Sequence, residues 1–357
     1  MMHSSFNPFF LIVLILFFPS LYFSHNIPKI PSHHHTTKWR EFEKFIGATR
    51  GTQISGISKI KKYLHYFGYY YHLNVAENTN FTDLFDADLE RALKRYQSKL
   101  GLSVTGNLDS DTISQIKSPR CGVEDALPLP LPKLLHTSKH YSFFTGQPRW
   151  TRSIPITLTY AFSPENTITT LTKSEISGAF KRAFGHWESV IPMKFSETRD
   201  YESADIKIGF YRGDHGDTEA FDGVLGVLAH AFSPESGRFH LDAAEIWAVD
   251  FEKEKSEVAV DLESVATHEI GHLLGLAHSS VKESVMYPSL KPRGRKVDLK
   301  IDDINGIQTL YGSNPNFTVE ALSELNTSSS SNHGLDLVRL NSLVCSMFLV
   351  LANLLLN

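Results

Sequence analysis

The spacing of apolar residues predicts a small all-helical unit between about Glu41 and Ile116. Two stripes recur at intervals of three and four residues, and they are formed by Ile54, Ile57, Ile60 and Leu64 and then by Leu89, Leu93 and Tyr96. Asp86 precedes the second stripe and is a suitable N-cap, because its carboxylate can accept from the free amides of the first turn. Polar loops separate the stripes, so we expect short helices rather than one long one.

The second half of the chain combines strand and helix patterns. Alternating or continuous apolar positions predict strands over Ile156 to Phe162, Ala204 to Phe210 and Leu225 to Phe232, and the last is expected to be an edge strand that an extended peptide can join. A capping box at Thr172 to Glu175 opens a helix whose apolar stripe is Ile176, Ala179, Phe180, Ala183, Phe184 and Trp187. A final helix begins at Ile301 and ends near Gly312. This order predicts an α/β unit.

One further helix, predicted from about Asp261, carries the residues with the clearest chemistry. His268 and His272 are four residues apart, so both imidazoles project from one face and can share a metal ion. Glu269 lies beside them and can act on a water that the metal activates. The pattern predicts a zinc hydrolase site.

A third ligand follows where this helix is expected to end. Gly275 can adopt the left-handed conformation that terminates a helix, so that the chain turns and returns His278 towards the metal. Three protein ligands leave one position open, which is typical of catalytic rather than structural zinc. With Met286 following, these residues resemble the metzincins, in which a methionine turn lies beneath the metal. The resemblance implies an α+β catalytic domain with a twisted mixed sheet and an active-site helix.

The segment from Pro119 to Asp125 narrows the resemblance to the matrix metalloproteinases, or matrixins. It is similar to their cysteine switch, which implies that Cys121 occupies the open zinc position in the zymogen and that Arg120 and Asp125 form a supporting salt bridge. A thiolate is a suitable zinc ligand. The chain has Glu124 where the family more often has proline.

The helical unit also resembles a family module. Residues 97–112 are similar to the peptidoglycan-binding-like module of matrixin propeptides, which leaves open an alternative function as a wall-glycan binder. Two further alternatives are a zinc-retaining but inactive binding protein and an astacin-like or reprolysin-like metzincin. Residues 141–150 resemble the start of mature matrixins. The loop from Pro288 to Lys300 is expected to form one wall of the specificity pocket on the primed side.

The resemblance implies further metal sites in the middle of the catalytic domain. A structural zinc site is expected at His215, Asp217, His230 and His240. A calcium site is expected at Asp222, Gly223, Asp242 and Glu245, with carbonyl oxygens from Leu225 and Val227. A second calcium site at Asp205 is a weaker expectation, because the segment between His230 and His240 is shorter than in the family.

The ends of the chain predict passage through the secretory pathway. Phe9 to Phe18 is an apolar run too short to span a bilayer and is typical of a signal peptide, with a signal anchor as the alternative. The apolar end from Leu343 to Leu356 follows small and polar residues and predicts a lipid-anchor (GPI) signal attached within Ser328 to Asn332. An amphipathic helix is the alternative for this tail. Glycosylation acceptors occur at Asn80, Asn316 and Asn326.

These features predict a precursor with four parts. The signal peptide covers residues 1–24, and the propeptide covers 25–140, including the module at about 41–117 and the switch at 119–125. The catalytic domain covers 141–313, and the linker with the anchor signal covers 314–357. No haemopexin-like propeller is predicted after the last helix, so the chain most resembles plant matrixins.

Composition limits the partners. The net charge of −4 and the lack of basic blocks argue against nucleic-acid binding. Of the two cysteines, Cys345 lies in the expected anchor signal, so no disulfide is predicted. The expected partners are extracellular protein or peptide substrates, the membrane through the lipid anchor, and a protease that activates the precursor, acting near the proline-rich residues 127–132. The expected state is a monomer.

Overall fold

A computed structural model describes residues 38–70, 80–125, 140–152 and 155–318. The predicted signal peptide, the proline-rich segment, Cys345, Asn326 and the predicted anchor site lie outside these ranges. Among the described residues, no helix combines the length and the apolar character needed to cross a membrane.

The first part of the chain is helical, as predicted. It consists of a 3₁₀ helix at Lys38–Phe45 and three α-helices, α1 at Ile57–Tyr66, α2 at Ala87–Lys99 and α3 at Ser110–Ile116. Asp86 caps α2 by accepting from the amide of Leu89 at 2.9 Å. Helix α1 begins three residues later than the apolar stripe suggested, and Ile54 packs against the core from the preceding turn.

A six-stranded mixed sheet forms the centre of the second part. Its strands are β1 (Arg120–Cys121), β3 (Ile156–Phe162), β4 (Met193–Glu197), β5 (Ile206–Tyr211), β6 (Val227–Ala231) and β7 (Arg238–Asp242), in the order β1-β6-β7-β5-β3-β4. Among the described strands of this sheet, only β6 and β7 pair in antiparallel fashion. Two-stranded ladders join β2 (Ser142–Phe143) to β10 (Leu276–Ala277) and β8 (Trp247–Ala248) to β9 (Val260–Asp261).

The expectation that β6 is an edge strand needs a correction. Strand β1 pairs with it in parallel, with Arg120 opposite Val227 and Cys121 opposite Ala229. The segment that resembles the cysteine switch therefore covers the edge that an extended peptide would use. If the strands before residue 140 are left out, β6 becomes the edge strand of the sheet.

Three helices complete the second part: α4 at Lys173–Glu188, α5 at Leu262–Leu273 and α6 at Ile301–Tyr311. The predicted capping box at Thr172 and the buried stripe of α4 are both confirmed. Trp187 of α4 donates its indole N–H to the carbonyl of Thr267 in α5 at 2.8 Å. Since α5 also packs on β6 and β7, this contact fixes the active-site helix between α4 and the sheet.

Candidate active site

The start and end of α5 follow the sequence prediction. Asp261 is the N-cap, and its carboxylate accepts from the amide of Ser264 at 2.8 Å. Gly275 has φ +105°, and a side chain there would meet the carbonyl oxygen of Pro148 at 2.3 Å. Because only glycine adopts this conformation without strain, the chain can reverse directly after the helix and bring His278 back.

Three imidazole nitrogens converge at this turn. The Nε2 atom of His272 lies 3.1 Å from Nε2 of His268 and 3.1 Å from Nε2 of His278. All three histidines are buried. These separations are close to the edge of a tetrahedron whose centre lies about 2.0–2.1 Å from each nitrogen, which is the bond length of zinc to histidine.

The other ring nitrogen of each histidine faces an oxygen. His268 Nδ1 donates to the carbonyl of Val285, and His272 Nδ1 donates to the carbonyl of Leu276, both at 2.7 Å. His278 Nδ1 donates to Oδ1 of Asp125, also at 2.7 Å. With the proton held on Nδ1, each Nε2 presents a lone pair to the shared centre.

This arrangement fits a bound cation. Burial lowers the pKa of all three histidines, so the neutral form that binds metal is favoured. Neutral rings whose lone pairs face one another at 3.1 Å repel unless a positive charge lies between them. The donor set of three imidazoles and one sulfur is one that zinc accepts.

Cys121 supplies that sulfur. Its Sγ lies 3.4 Å from Nε2 of His272, and the side chain is 5% exposed. All four ligand atoms lie within 4.8 Å of one another. Burial raises the pKa of the thiol well above its ordinary range, and the charge of Glu269 acts in the same direction. The thiolate would therefore form here only with a cation at the centre.

Asp125 links the cysteine segment to the third histidine, a contact that sequence reasoning missed. Its Oδ1 accepts from Arg120 Nη2 at 2.8 Å, as the expected salt bridge requires, and also from His278. Its second oxygen accepts from the hydroxyl of Tyr69. Burial would raise the pKa of this carboxyl, but Arg120 and His278 hold it well below its usual range.

Glu269 lies beside the histidine cluster, where the Cys121 thiol is its polar neighbour. Its side chain is fully buried, and no described residue donates a hydrogen bond to either carboxylate oxygen. Burial raises the pKa of this carboxyl to about 8. A buried carboxyl with unused oxygens next to a metal site is suited to accept and return a proton.

The turn that contains Met286 packs directly below the histidines. A side chain at Gly271 would lie 2.2 Å from Sδ of Met286, so the methionine contacts the backbone of α5 between two ligands. Asp303 holds this turn by accepting from the amides of Val285 and Met286 at 2.9 and 3.1 Å. Sequence reasoning missed this role of Asp303; its position in the first turn of α6 was the available signal.

Comparisons with known proteins agree with this geometry. Residues 149–312 match the family described as Matrixin, and residues 54–116 match a putative peptidoglycan binding domain. Metalloendoproteinase 4-MMP of Arabidopsis thaliana is 57% identical over 278 residues, which cover 78% of this chain and 79% of that protein. Metalloendoproteinase 1-MMP of the same plant is 49% identical over 323 residues, covering 87% of each. Metalloendoproteinase 1 of Glycine max is 43% identical over 314 residues, covering 85% of this chain and 97% of that protein.

The chain belongs to the matrixin family. It is a zinc metalloendopeptidase, and the prediction that it resembles plant matrixins is confirmed. The astacin-like and reprolysin-like alternatives are wrong. The mixed sheet, the active-site helix and the preceding helical module agree with the predicted fold class.

The four residues expected to hold the structural zinc ion of this matrixin also form a cluster. His215 Nε2, His230 Nε2 and His240 Nδ1 lie 2.9, 2.8 and 2.7 Å from the same oxygen, Oδ2 of Asp217. One oxygen cannot accept three well-directed hydrogen bonds, whereas four ligands around one ion would produce these short separations. The cluster joins the loop at His215 to strands β6 and β7.

The expected calcium ligands form a group of three acidic side chains. Gly223 donates its amide to Asp242 at 3.1 Å, and Val227 donates to Asp222 at 2.9 Å. Glu245 is 4% exposed, and neither of its carboxylate oxygens has a hydrogen-bond partner among the described residues. Burial, with Asp242 and Asp222 nearby, raises its pKa to about 9. Such a carboxylate group suits a hard cation.

Asp205 lies elsewhere, and its carboxylate is already engaged. One oxygen accepts from Arg152, and the other accepts from the amide and hydroxyl of Thr159 at 2.8 and 2.9 Å. Both Asp205 oxygens thus already accept hydrogen bonds, and the second calcium site at this residue stays a prediction. Of the glycosylation acceptors within the described ranges, Asn80 and Asn316 are both exposed.

Proposed function

We propose that this matrixin is made as an inactive precursor of a cell-surface endopeptidase and that Cys121 keeps the precursor inactive. The observation that carries the proposal is the position of Sγ, 3.4 Å from Nε2 of His272 at the open side of the histidine cluster. A substrate carbonyl needs that position. Release of the cysteine segment is therefore required before a peptide can be cleaved.

The same segment also competes for the peptide-binding strand. The amide of Arg120 donates to the carbonyl of Gly226, and the amide of Gly122 donates to that of Ala229, both at 2.8 Å. Once the segment leaves, these carbonyls, one in β6 and one directly before it, can pair with the backbone of an extended substrate. Substrates are then extracellular proteins or peptides that can present an extended segment.

Glu269 is the proposed general base and acid. A zinc ion held by His268, His272 and His278 would lower the pKa of a water to about 7 and polarise the scissile carbonyl. The Glu269 carboxylate takes the proton of the attacking water and later gives it to the leaving amine. Its buried position raises its proton affinity, which suits both steps.

The helical module is proposed to be a propeptide scaffold rather than a glycan binder. Lys99 at the end of α2 donates to the carbonyl of His278 at 2.9 Å, and Gln115 of α3 donates to Ser289 at 2.8 Å. These contacts support a role in holding Cys121 at the metal site. The zinc-retaining but inactive alternative has no support from the side chains, because Glu269 is present beside the ligands.

The remaining expectations belong to the same proposal. A structural zinc ion at His215, Asp217, His230 and His240 and a calcium ion at Asp222, Asp242 and Glu245 would fasten the loops around β6 and β7. Carbonyl oxygens of Gly223, Leu225 and Val227 would complete the calcium site. Signal-peptide removal, N-glycosylation, lipid anchoring and activation by another protease are proposed from the sequence, and they agree with the generally extracellular action of matrixins.

Replacement of Glu269 tests the proposed chemistry. Glu269→Gln is expected to lower kcat by about 10²- to 10⁴-fold after propeptide removal, because the amide cannot accept the proton. Zinc content, measured by metal analysis, should stay equal to that of the wild type. Glu257→Gln, at an exposed glutamate, is the matched control. Substantial cleavage by Glu269→Gln at equal zinc content would contradict the assignment.

A further inference from the structure

The side chain of Phe221 belongs to the docking surface between the helical module and the catalytic unit. It is 6% exposed and lies in the buried apolar cluster that contains Tyr63 and Phe67 of the module. Ala220 and Asp222, on either side of it in the chain, line a cleft together with the same two module residues. Removal of the module would therefore uncover this ring.

The same ring also covers the second histidine cluster. Its centroid lies 4.9 Å from that of His215, with the ring planes 13° apart, and 4.8 Å from that of His230, with the planes 24° apart. Tyr211 lies against His215 in the same way, at 5.0 Å and 22°. Aromatic rings against two expected ligands limit the access of water to them and restrict their orientation.

The position of Phe221 depends on the loop of residues 213–221. The Phe221 amide closes this loop by donating to the carbonyl of Gly213 at 3.0 Å. The loop supplies His215 and Asp217, whose ligand atoms meet those of the histidines on β6 and β7. Most of its residues are exposed or only partly buried, so it has little apolar core of its own. A zinc ion shared with the two strands would hold it to the sheet.

Val227 connects this surface to the cysteine segment. It belongs to the same buried cluster as Phe221, and its amide donates to the carboxylate of Asp222 at 2.9 Å. In the sheet, Val227 pairs with Arg120, and a side chain at Gly122 would lie 2.7 Å from Cγ1 of Val227. A shift of the loop would therefore disturb the support of both the module and the cysteine segment.

We propose that Phe221 couples the structural zinc site to the docking of the helical module. The loop that presents Phe221 is held by the ion, and the docked module keeps this ring over two of the ligands. The inference rests on the proposed function, because it takes the second cluster as a zinc site and the module as the support of Cys121. Coupling between two binding events is reciprocal, so the contact that retains the zinc ion also retains the cysteine segment.

Alkylation of Cys121 in the intact precursor tests the coupling, because a reagent reaches the buried thiol only when the cysteine segment separates from the catalytic unit. The rate is followed on the Cys121 peptide by mass spectrometry, and metal analysis of the same samples gives the zinc content. Phe221→Ala, with both zinc ions bound, should react at least about 10-fold faster than the wild type. Phe221→Leu, which keeps much of the apolar volume, should differ from the wild type by less than about threefold.

Phe232→Ala is the matched control. The Phe232 ring lies 5.7 Å from the rings of both His230 and His240. Among the described residues it is not part of the apolar cluster of the module, so its loss should leave the alkylation rate unchanged. A rate for Phe221→Ala within about twofold of the wild type, with both zinc ions bound, would overturn the proposal.

Asp217→Asn tests the coupling from the side of the metal, because it weakens one ligand and keeps the shape of the side chain. The precursor that has lost this zinc ion to a chelator should react with the reagent about fivefold faster or more. Peptide cleavage after activation shows that the catalytic zinc ion is still bound. An unchanged alkylation rate after loss of the structural ion would overturn the proposal. Full retention of zinc by Asp217→Asn would instead contradict the proposed structural zinc site.

Discussion

At the scale of single residues, Asp125 has a double role in the precursor. One oxygen accepts from both Arg120 and His278, so the same carboxylate supports the cysteine segment and orients a zinc ligand. When the segment departs, His278 loses this partner and another acceptor or water must replace it. The inactive and active forms therefore differ in two ways. Cys121 is at the metal site only in the inactive form, and His278 has a different hydrogen-bond partner in each form.

Replacement of Cys121 by serine tests whether the Cys121 sulfur keeps the precursor inactive, a role that we call the Cys121 latch. Cys121→Ser is expected to give a precursor that cleaves peptide without treatment, because a neutral hydroxyl is a much weaker zinc ligand than a thiolate. The measurement is cleavage of a fluorogenic peptide by freshly purified, uncleaved precursor. Ser118→Ala, at a partly exposed serine before the segment, is a control that should stay inactive. A fully inactive Cys121→Ser precursor would argue against the latch.

The zinc ligands could be predicted from sequence because their positions depend on local geometry. Helical spacing brings His268 and His272 together, and the glycine turn returns His278 within ten residues. The contact of Asp125 with His278 could not be predicted in this way, since it joins residues 153 positions apart and depends on how the helical unit docks. The role of Asp303 at the Met286 turn depends instead on how α6 packs against that turn within the catalytic unit, 17 positions earlier in the chain.

At the scale of elements, Glu263 ties three segments together at the start of α5. Its buried carboxylate pairs with Arg182 at 2.7 Å and His186 at 3.0 Å, both in α4, and with Arg295 of the pocket loop at 3.0 Å. Burial would raise its pKa, but His186, Arg182 and Arg295 together lower it to about 2. Carboxylate charge in the first turn also interacts favourably with the helix dipole.

This network should contribute stability that depends on pH. The folded pKa of Glu263 lies below its unfolded value of about 4.3, so the contribution is complete above about pH 4.5 and is lost as pH falls towards 2. Glu263→Gln is expected to lower the free energy of unfolding by on the order of 1–2 kcal/mol at pH 7, a value reduced for the exposed partners. Urea unfolding of both proteins at pH 7, 4 and 2.5 measures the difference. A difference of equal size at all three pH values would contradict the assignment.

The positions of the helices and strands could largely be predicted from the sequence. The order of the strands in the sheet could not. Strand β3 and helices α4 and α6 have the predicted positions, because alternation and capping residues are local signals. Strands β5 and β6 are shorter or shifted by one or two residues. The pairing of β1 with β6 depends on a segment more than a hundred residues earlier, and no local pattern marks Arg120 and Cys121 as a strand.

At the scale of the whole molecule, the helical module and the catalytic unit share an apolar interface. Phe221, Val227 and Tyr287 of the catalytic unit pack into the core of the module. Lys99 of α2 donates to the carbonyl of His278 at 2.9 Å and to the Ser142 hydroxyl at 3.2 Å. The cysteine segment is thus one part of a larger docked surface.

Loss of the Lys99 contacts should weaken latency without changing the mature enzyme. Lys99→Met removes two hydrogen bonds from a mostly buried ammonium, and the precursor is expected to activate about 10-fold faster under a fixed dose of organomercurial. Mature activity should equal that of the wild type, because residue 99 lies in the segment that is removed. Lys94→Met, at an exposed lysine on the same helix, is the control. Equal activation rates for Lys99→Met and the wild type would show that this contact does not hold the latch.

Cleavage of a quenched fluorescent peptide by the wild-type precursor tests the Cys121 latch and the zinc chemistry together. It is measured before and after treatment with an organomercurial, each with and without a zinc chelator. Activity is expected only after thiol modification, and it should disappear with the chelator and return when zinc is added. Full activity before treatment would contradict the Cys121 latch, and no activity after treatment with zinc bound would contradict the proposed peptidase chemistry.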